Sequence, residues 1–205
     1  MIKKPTQALK GKPLQAFTEH FELRSMTVDD VTPDYIGWWN DPDIQGRLGS
    51  RPRGWTFEQA SRHVAQFDDR WTFHLGIYTR EESRLIGFTS ILANPRTGIS
   101  TSNRVLGDKA FWRQGVSKEV SAWTIPFVFE KLGMAKIKAE VRGPNASSIA
   151  LCEYLGFERE GLLRQEIPTA EGDRLDVHVF GLLKDDWRKQ LAEGRAPWSK
   201  AASSF

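Results

Sequence analysis

Apolar positions along this chain change period several times, and each change predicts an element. Phe21-Glu22-Leu23-Arg24-Ser25-Met26 alternates apolar and polar residues, the signature of a half-buried strand. Asp34 to Asn40 reads as a short helix ended by Asp41-Pro42. Thr56, with Gln59 three residues later, has the capping-box spacing for a helix reaching about Phe67. Trp71 to Thr79 and Leu85 to Leu92 read as strands joined by the hairpin-length turn Arg80-Glu81-Glu82-Ser83. A third strand follows at about Thr101 to Leu106.

The strongest helical periodicity runs from Ser117 to Leu132, stopped by Gly133, with Pro126 inside it as an expected kink. Lys136 to Val141 predicts a buried strand. Asn145 to Leu155 predicts a helix with Asn145 as its cap and Gly156 as its stop. Glu158–Ile167 and Leu175–Leu183 predict two last strands around a turn at Ala170-Glu171-Gly172-Asp173, and Asp185 to Leu191 closes with a short helix. The sum is a mixed α/β domain of about seven strands.

Composition narrows the class. A chain of 205 residues with 40% apolar content suits one domain with a sizeable core. The expected division is a basic arm over 1–18, the domain over 19–191, and a tail over 192–205. No apolar run approaches the roughly 18 residues that cross a bilayer, and Lys3, Lys4, Lys10 and Lys12 lack a signal peptide's apolar centre. These readings predict a cytoplasmic protein without a membrane partner. Cys152 stands alone, so neither a disulfide framework nor a cysteine-rich zinc site is expected. His20, His63, His74 and His178 make no i, i+4 pair that suggests a metal. A net charge of +3 suits an anionic cofactor, while no Lys/Arg run is dense enough to predict nucleic acid.

One loop carries candidate chemistry. Phe111-Trp112-Arg113-Gln114-Gly115-Val116-Ser117 lies between a predicted strand and the best helix. A helix start presents bare N–H groups and about half a positive charge, which suits a phosphate. Gly115 permits close approach by a ligand, and Ser117 is the expected cap. The same pattern also serves as ordinary strand-to-helix punctuation.

Taken in order, four segments resemble the GNAT N-acetyltransferase superfamily. They are Leu106-Gly107-Asp108-Lys109-Ala110-Phe111-Trp112-Arg113-Gln114-Gly115, Phe129-Glu130-Lys131-Leu132-Gly133, Asn145-Ala146-Ser147-Ser148-Ile149, and Tyr154-Leu155-Gly156-Phe157-Glu158-Arg159-Glu160-Gly161. The nearest subgroup is similar to ribosomal-protein-alanine, amino-sugar and spermidine N-acetyltransferases. Trp38-Trp39-Asn40-Asp41-Pro42 and Val179 to Trp187 resemble that subgroup's first helix and last strand, so the likeness spans about residues 20–190.

The resemblance implies a mostly antiparallel sheet splayed at its centre, helices on both faces, and acetyl-CoA as co-substrate. It implies a pantetheine arm paired with the backbone of Val105, Leu106 and Gly107, and a pyrophosphate held by Arg113, Gln114, Gly115, Val116 and Ser117. Asn145, with Ser148, matches the residues that steady the arm; the plain reading of Asn145 is a helix cap, and one residue can do both. The family's loop pattern is Gln/Arg-x-x-Gly-x-Gly/Ala. Here Trp112 takes the first place and Ser117 the last, and Gly115 alone matches. Because backbone N–H groups supply much of the grip, these departures weaken the site only modestly.

Catalytic groups are less settled. Amide formation from a thioester needs a neutral amine and hence a proton acceptor. The family's glutamate falls at about Thr101, which cannot be an ordinary base. His74 is one replacement, Asp41 and Glu58 are weaker ones, and a water relay on Ser102 and Asn103 is another. The backbone N–H near Leu106 would meet the oxyanion. Cys152 occupies the place of the family's acid tyrosine, while Tyr154 falls on another helix face; a structural reading of either Cys152 or His74 stands beside the catalytic one. Trp39 with Asn40, Trp55 beside Arg51 and Arg53, and Asn103 are the acceptor-site candidates. The expected activity is direct acetyl transfer to a primary amine of a small molecule, an amino sugar among them, or of a protein N-terminus. The alternative is a GNAT-like module that holds CoA as a sensor or scaffold. Transfer of a longer acyl group such as succinyl, and a homodimer, are left open by the resemblance.

Overall fold

The computed structural model describes residues 10–169 and 172–195. Eight strands form one sheet in the order β1-β2-β3-β4-β5-β6-β8-β7. They are β1 (Gln15–Phe17), β2 (Phe21–Ser25), β3 (Thr72–Thr79), β4 (Leu85–Asn94), β5 (Ile99–Leu106), β6 (Lys136–Arg142), β7 (Glu158–Pro168) and β8 (Arg174–Leu183). Every neighbouring pair is antiparallel except β5 and β6. The helices are α1 (Pro33–Asn40), α2 (Pro42–Arg47), α3 (Phe57–Ala65), α4 (Val116–Pro126), α5 (Ala146–Tyr154) and α6 (Lys184–Ala192). The predicted α/β class and mostly antiparallel sheet hold, with eight strands rather than seven.

Two elements depart from the sequence reading. β1 lies inside the stretch read as a basic arm and pairs with β2 through Gln15↔Arg24 to Phe17↔Glu22. Asp41-Pro42 does not simply end a helix. Asp41 ends α1 and also starts α2, its carboxylate accepting from the N–H groups of Asp43 at 2.9 Å and Ile44 at 3.0 Å. Pro42 sits at the first position of α2, where its missing N–H costs nothing. The turn residues Ala170 and Glu171 lie outside the described residues.

Elsewhere local chemistry fixes the elements as read. Thr56 and Gln59 form the reciprocal capping box of α3, with bonds of 3.3 and 2.9 Å. Asn145 caps α5 by accepting from the Ser148 N–H at 3.1 Å. Ser117, by contrast, caps nothing: the residue before α4 is Gly115, with φ of +82° and no side-chain cap. Pro126 is absorbed by a change of pitch, because a π-helical turn over Phe127–Lys131 follows it and the Leu132 N–H reaches the Phe127 carbonyl at 3.1 Å.

The sheet divides the core in two. One cluster joins Leu75, Ile77 and Ile91 of the central strands to Val120 and Trp123 of α4, Cys152 and Leu155 of α5, and Trp187 of α6. The other packs Tyr35 and Trp38 of α1 and Val64 of α3 on Phe88 and Val105. Strand alternation produces this split, since Phe88 pairs with Val105 while Thr89 pairs with Arg104.

Candidate active site

The parallel pair at the sheet's centre fails early. β5 and β6 are in register only from Ile99↔Lys136 to Thr101↔Lys138, yet β5 runs on to Leu106 and β6 to Arg142. Beyond Thr101 the strands part. The Gly107 N–H donates to the Ile86 carbonyl at 3.0 Å, which puts Leu106 opposite Gly87 at a non-hydrogen-bonded position. By the alternation of an antiparallel ladder, the backbone groups of Leu106 and Arg104 face away from β4 into the gap. Val105 and Gly107 face β4 instead, so of the three backbone positions expected to pair with an extended ligand, Leu106 is the one so oriented. Its carbonyl already accepts from the Trp112 indole at 2.8 Å, which leaves its N–H toward the gap.

At the end of the gap stands the loop into α4. Gly115 and Arg113 both have left-handed backbone, with φ of +82° and +65°. Among the described residues, the N–H groups of Arg113, Gly115, Val116 and Ser117 have no acceptor. A Cβ on Gly115 would meet nothing within 4 Å, so open space faces the loop there. Bare amides at a helix start fit a pyrophosphate. Gln114 turns its amide back onto the Ala110 carbonyl at 2.6 Å, and the Arg113 side chain is exposed.

A cavity of about 830 Å³ runs through the gap. On the α4–α5 side it is lined by Ser117, Ser121, Ser148, Asn145 and Cys152, and between the strands by Val105 and Ala139. On the α1–α3 side Trp39, His63, Phe67, Phe88 and Asn103 line it, with Arg53. Leu106, Gly107, the Arg113–Val116 stretch, Asn40 and Trp55 are not among its lining residues.

The aromatic wall is built by long-range packing. Trp39 and Trp55 stack with centroids 4.3 Å apart and planes at 6°. Asn40 locks the stack: its amide donates to the Trp55 carbonyl at 3.0 Å and accepts from the Trp55 N–H at 2.8 Å. Asn40 therefore fixes the Trp55 backbone, and Trp39 is the member of the stack that lines the cavity. His63 meets both indoles edge-on at 5.3 and 5.2 Å. Its Nδ1 lies 2.9 Å from the Gln66 amide, and burial, aided by the Arg53 charge, lowers its pKa below the ordinary histidine value. His63 is thus neutral at pH 7. The sequence reading passed over it.

The other candidates fall into place around this frame. His74 is 1% exposed, with Tyr35 Oη 3.0 Å from Nε2 and Ser90 Oγ 2.8 Å from Nδ1. Burial pushes its pKa down to about 3, with the neighbouring His63 adding to the effect. Both ring nitrogens are engaged in the core, and His74 is not among the residues lining the cavity. Asp41 is used in capping and in an ion pair to Lys109 at 2.9 Å, and Glu58 pairs with Arg62 on an exposed face. Cys152 lines the cavity, but burial raises its thiol to about 11. Such a thiol is a weaker acid than an ordinary one near 8.5. Tyr154 points away, 46% exposed beneath the Lys118 ammonium.

Parted central strands, bare amides at one end and an aromatic chamber at the other suit an extended ligand that carries a diphosphate. The sequence agrees: residues 20–158 match the acetyltransferase (GNAT) domain, and the chain belongs to that family. It is an acetyl-CoA-dependent N-acetyltransferase. It is 27% identical over 177 residues to the uncharacterized N-acetyltransferase p20 of Bacillus licheniformis, covering 83% of this chain and 97% of that one. It is 37% identical over 75 residues to the [ribosomal protein bS18]-alanine N-acetyltransferase of Escherichia coli, covering 37% of this chain and 49% of the relative. The fold matches that of spermidine N-acetyltransferase from Vibrio cholerae, solved with CoA and spermine. The TM-score there is 0.73 at 18% identity, over 82% of this chain and 98% of that one. No helix among the described residues is long and apolar enough to cross a membrane.

Proposed function

We propose that this transferase moves the acetyl group directly to the primary amine of a small molecule seated against Trp39 and His63. One observation carries the reading: a single cavity joins the α4–α5 side of the gap to that aromatic wall. Residues 19–191 form the catalytic unit in this proposal. Acetyl-CoA supplies an acetyl carbonyl activated as a thioester. The amides of Arg113, Gly115, Val116 and Ser117 hold its diphosphate, and Asn145 and Ser148 flank its arm. The Leu106 N–H meets the negative charge that builds on the carbonyl oxygen as the amine attacks.

His63 takes the amine's proton. Burial keeps it unprotonated at neutral pH, and it opens onto the acceptor end of the cavity. Gln66 Nε2 lies 2.9 Å from His63 Nδ1; exchanging the oxygen and nitrogen of that amide makes its oxygen the acceptor from Nδ1–H, and His63 Nε2 then presents the lone pair that this role needs. Trp39 offers a flat, electron-rich face to a cationic amine before it loses that proton. Walls of this kind suit a compact acceptor better than a protein N-terminus.

The test is acetyl-CoA turnover against a panel of amino sugars, polyamines and short peptides, followed by thiol release. Turnover confined to small amines and lost in Trp39→Ala supports the assignment. Turnover confined to peptides overturns the acceptor class, and CoA binding without turnover of any amine points to a sensor or scaffold.

A further inference from the structure

A half-buried cation with no counter-ion among the described residues lies in the cofactor half of the cavity. Arg104 sits on β5, three residues past its last partner of β6, and its side chain turns toward α4. One terminal nitrogen donates to the Ser117 carbonyl at 2.7 Å and to Ser121 Oγ at 3.0 Å. Its Nε is buried and has no partner, and the guanidinium makes no ion pair among the described residues. α4 presents only neutral acceptors to it. From α5 the one ionisable group that faces it is Cys152, and both residues line the cavity.

Charged groups removed from water are ordinarily paired. An unpaired guanidinium beside an open channel is a receptor waiting for an anion. The reaction produces one in this half of the cavity. Attack by the amine forms the C–N bond and breaks the C–S bond. The sulfur departs with the bonding electron pair, while the amine's proton passes to His63 and on to solvent. Cys152, which stands where a proton donor was expected, is too weak an acid to quench that sulfur readily.

We propose that Arg104 is a catalytic residue that receives the CoA thiolate, its second terminal nitrogen, which makes no hydrogen bond among the described residues, donating to the departing sulfur. It replaces proton donation by charge stabilisation, and Ser117 and Ser121 hold the guanidinium in place. This rests on the acetyl-CoA site proposed above. A receptor for thiolate lowers the pKa of the CoA thiol when CoA is bound, and that consequence is measurable without turnover.

The experiment compares CoA with desulfo-CoA by calorimetry between about pH 6 and about pH 8.5, the latter near an ordinary thiol's pKa. Both ligands share every contact except the sulfur, and ionisation of Cys152 affects both arms equally. The expected result is an affinity ratio that rises in favour of CoA by about fivefold across this range for one pKa unit of thiol shift, since half of the free thiol is already ionised at the upper limit. Arg104→Lys keeps part of the rise and Arg104→Met abolishes it. The wild-type ratio stands as a test even if a variant fails to fold. Firm binding of both ligands with a flat ratio overturns the role of Arg104 alone. An Arg104-dependent preference for succinyl-CoA over acetyl-CoA, with a flat ratio, also overturns it by assigning the cation to an acyl carboxylate. Failure of both ligands to bind overturns the acetyl-CoA site itself.

Discussion

The indole nitrogen of Trp112 donates to the carbonyl of Leu106 at 2.8 Å, tying the loop before α4 to the strand that borders the central gap. Arg47 covers the same indole, with its guanidinium carbon 4.4 Å from the ring centroid. Trp112→Phe keeps the ring and removes the donor. A lost hydrogen bond of this sort costs about 0.5–1.5 kcal/mol, so CoA affinity should fall roughly 2–10-fold while the fold persists. Calorimetry beside circular dichroism measures both. Unchanged affinity would separate the loop from the strand in ligand binding.

Gly115 has open space where a side chain would stand and a φ that side chains rarely adopt. Gly115→Glu places a carboxylate against the diphosphate site. Like-charge contact costs several kcal/mol, so CoA affinity should drop on the order of 100-fold or more. The backbone strain is about 1–2 kcal/mol, and the melting temperature should fall only a few degrees for a chain of this size. A variant that melts as expected and binds CoA normally would remove these amides from the site.

The elements that set up this loop were legible because their signals are local. Strand β5, the glycine at φ of +82° and the Asn145 cap each depend on a few neighbouring residues. β1 escaped because three residues with an exposed–intermediate–exposed pattern carry no strand signal of their own. His63 and Arg104 escaped for a different reason. In sequence His63 is one polar residue of a helix and Arg104 one of a polar run on a strand, and the chemistry of each arises from distant packing. Trp39 and Trp55 enclose the one, and the parting of β5 from β6 exposes the other to the cavity. His74 shows the opposite case, since the sequence left both a catalytic and a structural reading open and only the packing places Tyr35 and Ser90 at its two nitrogens.

If His63 is the base, the pH profile should show it. Its pKa lies below the ordinary 6.5, chiefly through burial. The base works when unprotonated, so kcat/KM should rise with pH through a limb centred below 6.5 and then level off. His63→Gln should lose about 100-fold or more in turnover, shift the acetyl-CoA KM little, and abolish that limb. A variant that keeps the limb would assign it to another group.

Cys152 and Arg104 face the same channel and make opposite forecasts. Cys152→Ala removes a thiol that burial already holds at about 11. Turnover should change less than about twofold, at a stability cost on the order of 1 kcal/mol for the small cavity left. Measuring turnover and thermal unfolding together separates the outcomes. A loss of turnover with unchanged stability would restore the thiol as proton donor.

His74 also makes folding sensitive to acid. In the folded chain its pKa is pushed down to about 3, whereas an exposed histidine titrates near 6.5. Below 6.5 the unfolded chain therefore binds a proton that the folded chain refuses. Stability from this group is fully present above that value and falls by up to about 1.4 kcal/mol for each pH unit down toward 3. His63 adds to the same trend, since its pKa is lowered as well. Urea titrations at stepped pH should show the unfolding free energy declining from about pH 6.5, before the carboxylates titrate. His74→Gln keeps a hydrogen-bonding side chain between Tyr35 and Ser90 without the titrating ring, and should flatten that decline even though it is less stable at neutral pH. An equally steep decline in the variant would assign the acid sensitivity to other groups.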